Sequence, residues 1–260
     1  MSKDRTEDGV RSVLQSISLV LKGEKDKKYG LWLSSHFQGV LMQLLEHDYT
    51  DELHTNRLHA YSQYLQMGEN QLIWTVNALN REACDHITEK LCDSNLKEFY
   101  LERAEDTFHV IRREVRTLTY EALISQYFFG QCSKYISLRL LTPTSFKQNG
   151  EYVLFPSVRL IFQSLMQKFD SASRDNKLFS EELLEHYETY ARIVDYRLRS
   201  MRFHMEGVRI PAFLGEITIK INGPQQMVNA AALLAQFGTF SGIGIKTGMG
   251  MGALQILDKQ

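Results

Sequence analysis

The residues of this chain best suited to chemistry are the glycines of its last part, residues 238–252. Six of the sixteen glycines lie there, around Lys246 and Thr247. Glycine adopts positive φ without steric cost and lets another backbone approach closely. Successive main-chain N–H groups in such a loop can bind a phosphate backbone. The pattern favours a phosphate-binding loop, and a glycine-rich turn without a ligand is the alternative.

Two known phosphate-binding motifs do not fit this loop. A P-loop needs glycine directly before Lys-Thr, where this chain has Ile245. The dinucleotide-binding fingerprint needs a helix after the glycines, but only eight residues follow Gly252. Those eight residues predict a short final strand. No metal site is indicated either, because His54 and His59 are five residues apart without an HExxH or paired-carboxylate pattern. We therefore expect no metal and no cofactor.

The composition limits the class of protein. A chain of 260 residues allows one large domain or two of about 130 residues. Its 30 basic and 31 acidic residues weigh against a strongly basic nucleic-acid coat but leave a local basic stripe open. No apolar run approaches the ~20 residues of a membrane span, and the polar start shows no signal peptide. Three cysteines without a CxxC pair, Cys84, Cys92 and Cys132, fit a reducing cytoplasm.

The hydrophobic periodicity of the first half predicts the element order β, α, β, β, α, β. Strands are expected at 13–22, 61–67, 71–80 and within 107–128, and helices at 31–47 and 81–91. The first helix shows a 3.6-residue apolar period through Leu33, Phe37 and Leu41. A polar loop over 51–59 should follow it. This order is that of a ferredoxin-like unit.

The second half repeats this order of elements but not the residues. Strands are expected at 135–141, 152–155, 194–208 and 213–221, and helices after Pro156, over 181–193 and after Pro224. Proline suits the first turn of the last helix, and Gly238 suits its end. We predict an α+β fold of two tandem ferredoxin-like domains, 1–130 and 131–260. Each should hold a four-stranded antiparallel sheet, with the glycine loop against the second main helix of the second domain.

Three segments of the chain resemble one known family. The strongest is 240–252, which matches a C-terminal Gly-rich loop; the others are Leu-Thr-Pro-Thr-Ser-Phe at 141–146, with Phe-Pro at 155–156, and Asp-Glu-Leu-His at 51–54, with Ala-Tyr-Ser-Gln at 60–63. In this order they resemble the CRISPR-associated endoribonuclease that processes precursor CRISPR RNA, a member of the RAMP superfamily. The resemblance implies tandem ferredoxin-like folds, with RNA lying across basic surfaces near their junction.

The resemblance also implies a cleavage site. The family's catalytic histidine corresponds to His54, and the basic residue after it corresponds to Arg57 with one gap. Histidine titrates near neutral pH and can exchange protons with a ribose 2′-OH or a leaving oxygen, while arginine can stabilise a charged phosphorane. Such a reaction needs no metal and leaves a 2′,3′-cyclic phosphate and a 5′-OH. The alternative for each residue is a surface role, and Arg57 could instead pair with Asp51 or Glu52.

The second acid–base group is not defined by the resemblance. Some members carry a tyrosine on the first helix, where this chain has Met42 and Gln43. Other members use a second histidine, for which His47 or His59 could serve. A surface role is the alternative for both.

The RNA-binding candidates lie in the loop and on a strand of the second half. They are Gly242, Gly244, Gly248, Gly250, Lys246 and Thr247 in the loop, and Lys134, Arg139, Arg197 and Arg199 as a basic stripe. Arg197 and Arg199 share a strand face by the period of two, and Arg202 joins them only if a bulge intervenes. A solvated edge is the alternative for the stripe.

The resemblance implies CRISPR repeat RNA within the precursor as the partner, in a prokaryotic cytoplasm and without a membrane. Association with CRISPR effector-complex subunits or with a second copy as a homodimer is left open. One alternative is a non-catalytic RAMP subunit that binds guide RNA, although His54 at the family's position favours the enzyme. The other alternative is a protein that binds a small phosphate compound and is unrelated to RNA.

Overall fold

Two antiparallel sheets organise the chain, the first between residues 13 and 119 and the second between 135 and 256. The computed structural model describes residues 13–55, 60–68, 71–173, 175–205 and 207–258, without the side chains of residues 52, 54 and 55. No helix among these residues is long and apolar enough to cross a membrane. Helices accompany both sheets, which confirms the predicted α+β class.

The first sheet is ferredoxin-like with one added strand. Its elements in chain order are β1 (Val13–Gly23), α1 (Ser34–Leu44), α2 (His47–Thr55), β2 (Tyr61–Met67), β3 (Leu72–Ala78), α3 (Arg81–Ala83), a π-helical segment (Cys84–Thr88), α4 (Glu89–Cys92), β4 (Glu98–Leu101), β5 (Asp106–Thr119), α5 (Tyr120–Leu123) and a second π-helical segment (Ile124–Phe128). The strand order is β2-β3-β1-β5-β4. The expectation of four strands is wrong here, because β4 pairs with the outer side of β5.

Two segments of the first half differ from the sequence expectation. Residues 51–59 are expected to be a loop, whereas α2 continues through Thr55. The side chains of Tyr49 and Leu53, one helical turn apart, are buried in the first core and hold α2 there. Strand structure is expected over 107–128, but β5 ends at Thr119. The Thr119 hydroxyl accepts a hydrogen bond from the amide of Ala122 and so caps α5.

The second sheet has the four antiparallel strands expected of a ferredoxin-like unit, in the order β11-β6-β10-β9. The elements of this half are β6 (Tyr135–Leu140), β7 (Phe146–Gln148), β8 (Glu151–Val153), α6 (Val158–Ala172), α7 (Glu181–Tyr190), β9 (Ala191–Met205), β10 (Val208–Ile221), α8 (Gln225–Ser241) and β11 (Leu254–Ile256). Strands β7 and β8 form a separate hairpin. The tandem ferredoxin-like arrangement is thereby confirmed.

Helix α8 continues past the glycine expected to end it. It ends at Ser241, and Gly242 follows with a φ of 64°. Gly238 lies inside the helix, where a Cβ would come within 2.8 Å of the Leu165 side chain. Glycine at 238 therefore lets α8 approach α6 closely, rather than terminating the helix.

The two halves share part of their interior. Leu79 and Tyr120 of the first half are buried in the core of the second. The ring centroid of Tyr120 lies 5.6 Å from that of Phe169 and 6.4 Å from that of Phe237. We propose to keep the domain boundary at residues 130 and 131, because it separates the strands of the two sheets.

The end of α8 is attached to the open face of the first sheet. The Ser62 hydroxyl on β2 donates a hydrogen bond to the carbonyl oxygen of Phe240. The side-chain amide of Asn77 on β3 donates a hydrogen bond to the same hydroxyl at 2.9 Å. The Arg116 guanidinium on β5 lies 4.3 Å from the Phe240 ring centroid, in cation–π geometry. The start of the glycine-rich loop is therefore fixed between the halves.

Candidate nucleic-acid interface

The glycine-rich loop between α8 and β11 has a backbone that ordinary residues rarely adopt. Positive φ angles occur at Gly242 (64°), Gly244 (73°), Lys246 (58°), Gly250 (98°) and Gly252 (73°). A Cβ on Gly244 would overlap the carbonyl oxygen of Ser145, and one on Gly252 would overlap that of Ile243. The glycines are thus required by the packing of the loop itself, as well as by any phosphate it binds.

Most main-chain amides of the loop are used inside the protein. The amides with an acceptor are those of Gly242, Ile243, Gly244, Ile245, Met249, Met251 and Gly252. Within the described residues, the amides of Lys246, Thr247, Gly248 and Gly250 have no such acceptor. The first three open the 3-10 turn Thr247–Met249, in which Gly248 is buried, and Gly250 is buried against Ser34. We therefore expect main-chain contacts to a phosphate at Lys246 and Thr247 rather than over the whole loop.

Helix α6 supports the loop from beneath. The Ser164 hydroxyl accepts a hydrogen bond from the amide of Gly244 at 2.8 Å. The buried ammonium of Lys168 donates to the carbonyl oxygens of Ser241 at 3.3 Å and Gly242 at 3.2 Å. Its third bond goes to the Thr247 hydroxyl at 3.2 Å. The loop is expected to lie against the second main helix, α8, but these hydrogen bonds attach it to the first, α6.

Burial also changes the acid–base behaviour of Lys168. Its side chain is enclosed by α6, the end of α8 and the loop, and burial lowers its pKa to about 7. The other charged groups around the same cavity are Lys147 and Lys246, which are both basic. Lys168 thus fixes the shape of the loop with a charge that is costly to bury.

We expect the stability of the protein to depend on Lys168 above pH 7. In the unfolded chain the lysine has its ordinary pKa of ~10.4 and stays protonated below it, whereas in the folded protein its pKa is about 7. The unfolded state then binds more protons, so the free energy of unfolding should rise with pH from about 7 upward. In Lys168→Met this contribution should be absent. Urea unfolding between pH 6 and 9 measures it, with Gln167→Met on the exposed side of α6 as control. Equal pH slopes in the wild type and Lys168→Met would contradict the assignment.

The loop also contacts the first half at the start of α1. A Cβ on Gly250 would overlap the side chain of Ser34, the first residue of α1. The side-chain amide of Gln63 on β2 donates a hydrogen bond to the carbonyl oxygen of Ser34 at 2.8 Å. Its side-chain oxygen accepts one from the Trp74 indole at 3.0 Å. The loop therefore lies at the junction of the halves, with Lys246 exposed at the rim of a cavity of about 500 Å³.

The basic stripe lies on the exposed side of the second sheet but is partly neutralised. Arg197 and Arg139 both lie opposite Glu216 of β10 in the strand register, and Arg139 forms an ion pair with it at 2.7 Å. Arg199 is exposed on the same face as Arg197, and Lys134 is exposed just before β6.

Arg202 does not join this stripe. The only register shift between β9 and β10 lies at Thr218 and Ile219, far from Arg202. Because no bulge separates Arg199 from Arg202 within these fully paired stretches, the two face opposite sides of the sheet. The stripe is therefore limited to Arg197, Arg199, Arg139 and Lys134.

Two of the proposed cleavage residues, His47 and His54, belong to α2. His47 is the first residue of α2, and its exposed ring lies 3.7 Å from the Asp51 carboxylate. The helical period places positions 47, 51 and 54 on one face, opposite the buried residues Tyr49 and Leu53. His54 occupies the last turn of α2, and its side chain lies outside the described residues. Arg57 and His59 lie outside them entirely.

Known proteins resemble this chain over most of its length. The CRISPR-associated endoribonuclease Cas6 of Streptococcus thermophilus is 33% identical over 228 residues, which cover 88% of this chain and 93% of that protein. The chain belongs to the Cas6 family. Cas6 of Mycobacterium tuberculosis is also 33% identical, over 86% of this chain and 71% of its own length. The model of the family described as CRISPR-associated endoribonuclease Cas6 matches residues 138–254, which include the loop.

Solved Cas6 structures have the same fold. A Cas6 product complex superposes with a TM-score of 0.80 at 22% identity, covering 94% of this chain and all of the other. Thermus thermophilus Cas6 gives a TM-score of 0.76 at 23% identity, covering 96% and 100%. These likenesses agree with the two tandem ferredoxin-like sheets described above.

Sequence reasoning located the Cas6 glycine loop but missed the residue that supports it. Lys168 lies on the buried side of α6, in line with Leu165 and Ala172. A lysine in the apolar stripe of an amphipathic helix is a detectable signal, because lysine is almost never fully buried without a partner. The carbonyl oxygens that bind it come from the loop and could not be assigned from spacing.

Proposed function

We propose that this Cas6-family chain binds CRISPR repeat RNA and cleaves the precursor at one site without a metal. The ribose 2′-OH attacks the adjacent phosphate and leaves a 2′,3′-cyclic phosphate and a 5′-OH. The observation that carries the proposal is the loop at the junction of the halves, with Lys246 exposed on it. The 33% identity to Cas6 endoribonucleases over most of the chain supports RNA as the substrate. The reaction would take place in a prokaryotic cytoplasm, where the product could pass to effector subunits.

The loop would bind the RNA backbone near the cleaved bond. Lys246 supplies a positive charge, and the amides of Lys246 and Thr247 supply donors without internal acceptors. The Thr247 hydroxyl accepts a hydrogen bond from Lys168 and keeps its own proton, which it would donate to a phosphate oxygen. Arg197 and Arg199 would extend the contact along the second sheet.

His54 would exchange the proton in the chemical step, with Arg57 stabilising the phosphorane. A second histidine would complete the acid–base pair. His47 lies on the same helix face as position 54, and His59 follows after the helix. A positioned 2′-OH needs no further nucleophile, so a few oriented groups are sufficient for the reaction.

The test of this assignment separates RNA binding from chemistry. Lys246→Ala should weaken binding of repeat RNA, and the slope of log K against log salt should shrink by ~0.7–0.9, the equivalent of one phosphate. At saturating protein its cleavage rate should change much less. The measurement is a filter-binding titration at several salt concentrations, with Lys28→Ala in the turn after β1 as a matched control for loss of one exposed charge.

Each failure has a separate meaning. A wild-type protein that does not retain repeat RNA at moderate salt would contradict the proposed function. A Lys246→Ala protein with the affinity and salt slope of Lys28→Ala would contradict only the role of the loop. Retention of RNA without cleavage would favour the non-catalytic RAMP subunit.

A further inference from the structure

A groove separate from the loop cavity lies where the adjoining ends of β9 and β10 reach the first half. It has a volume of about 400 Å³. The first half contributes Trp32, His36 and Arg103, and the paired residues His204 of β9 and Arg209 of β10 lie opposite them. A concave site of this size falls in the ~300–1,000 Å³ range of small-ligand pockets.

The side chains of the groove combine positive charge with an exposed aromatic ring. Its described lining residues include two arginines and two histidines, and Glu206, which is next to them in the sequence, lies outside the described residues. Neither Arg103 nor Arg209 forms an ion pair with another described residue. The indole of Trp32 is 42% exposed, and the Arg103 guanidinium lies 5.9 Å from its ring centroid. The exposed part of this indole is costly to keep in water, and the two arginines of the groove favour an anionic ligand.

The groove adjoins the glycine-rich loop. Phe203 of β9 and Ile210 of β10 are buried together with Met251 of the loop. Ser34, two residues after Trp32, packs against Gly250. An RNA strand bound at the loop would therefore have this groove beside it.

We propose that this groove binds one unpaired nucleotide of the RNA, with the base stacked on Trp32 and the phosphate bound by Arg103 and Arg209. The inference rests on the proposed function and adds a second RNA contact, formed by both halves. Stacking on aromatic rings together with arginine is how proteins bind unpaired nucleotides. An acidic peptide would engage the arginines but would leave the indole uncovered, so RNA fits the groove better.

The test uses the contrast between the two tryptophans of the chain. Trp74 is fully buried in the first core, whereas Trp32 is exposed in the groove. Titration with a synthetic RNA of the cognate repeat should quench the emission of the wild type but not that of Trp32→Phe. Trp32→Ala should lower RNA affinity by about 5- to 150-fold, the effect of losing one base–aromatic stack. Phe129→Ala, which removes an aromatic ring exposed outside the groove, should bind RNA as the wild type does.

Three outcomes would overturn the inference. The first is full RNA binding on filters without any change in emission, which leaves the proposed function intact. The second is an affinity of Trp32→Ala equal to that of Phe129→Ala. The third is equal quenching by polyglutamate, which would show that the groove recognises charge alone. Loss of RNA binding in the wild type would instead contradict the proposed function.

Discussion

Replacing His54 with alanine should lower the single-turnover rate of repeat-RNA cleavage by about two to four orders of magnitude, as expected on removing a general acid or base. The dissociation constant of the RNA should stay close to that of the wild type, because we propose that the contacts to the backbone come from the loop and the stripe. The measurement is a cleavage time course at saturating protein, accompanied by a filter-binding titration.

The control for this variant is His109→Ala. The ring of His109, on β5 of the first sheet, lies between Glu24 and Glu98, 3.0 Å from each carboxylate. Its loss removes a histidine from the same half without touching α2, so cleavage should continue at the wild-type rate. Wild-type cleavage by His54→Ala would refute the role of His54 and direct attention to His47 and His59.

The element order was predictable from sequence because it depends on local periodicity. The apolar stripe of α1 and the alternation along β1 identify the first unit, and the same kinds of pattern identify β10 and α8. Helix α2 was missed because its apolar residues Tyr49 and Leu53, which are buried, are too few for a periodic pattern. Strand β4 was missed because its four residues are shorter than any reliable alternation.

The loop could be located from its glycines, but its use of hydrogen bonds could not. Three of its amides have acceptors that are distant in sequence, at Pro143, Ser145 and Ser164. Only the tertiary structure shows which amides of the loop have no acceptor within the described residues. The exclusion of Arg202 from the stripe likewise depends on the register of β9 with β10, which no single strand reveals.

If the ribose 2′-OH is the nucleophile, the largest expected loss of cleavage comes from a change in the RNA and not in the protein. In the proposed mechanism the nucleophile belongs to the RNA, so a 2′-deoxy nucleotide just 5′ of the cleaved bond removes it and leaves the other protein contacts in place. Cleavage should then stop, while binding should remain close to that of the unmodified repeat. A mechanism that activates water would instead cleave both substrates and leave no cyclic phosphate.

The decisive measurement is therefore one gel of repeat RNA incubated with the wild-type protein in excess EDTA, with the 2′-deoxy repeat beside it. We predict cleavage of the unmodified RNA at one site in EDTA, with a 2′,3′-cyclic phosphate at the new end, and an intact but bound deoxy RNA. Cleavage of the deoxy RNA, or loss of cleavage in EDTA that is restored by a divalent metal, would contradict the mechanism proposed for this chain.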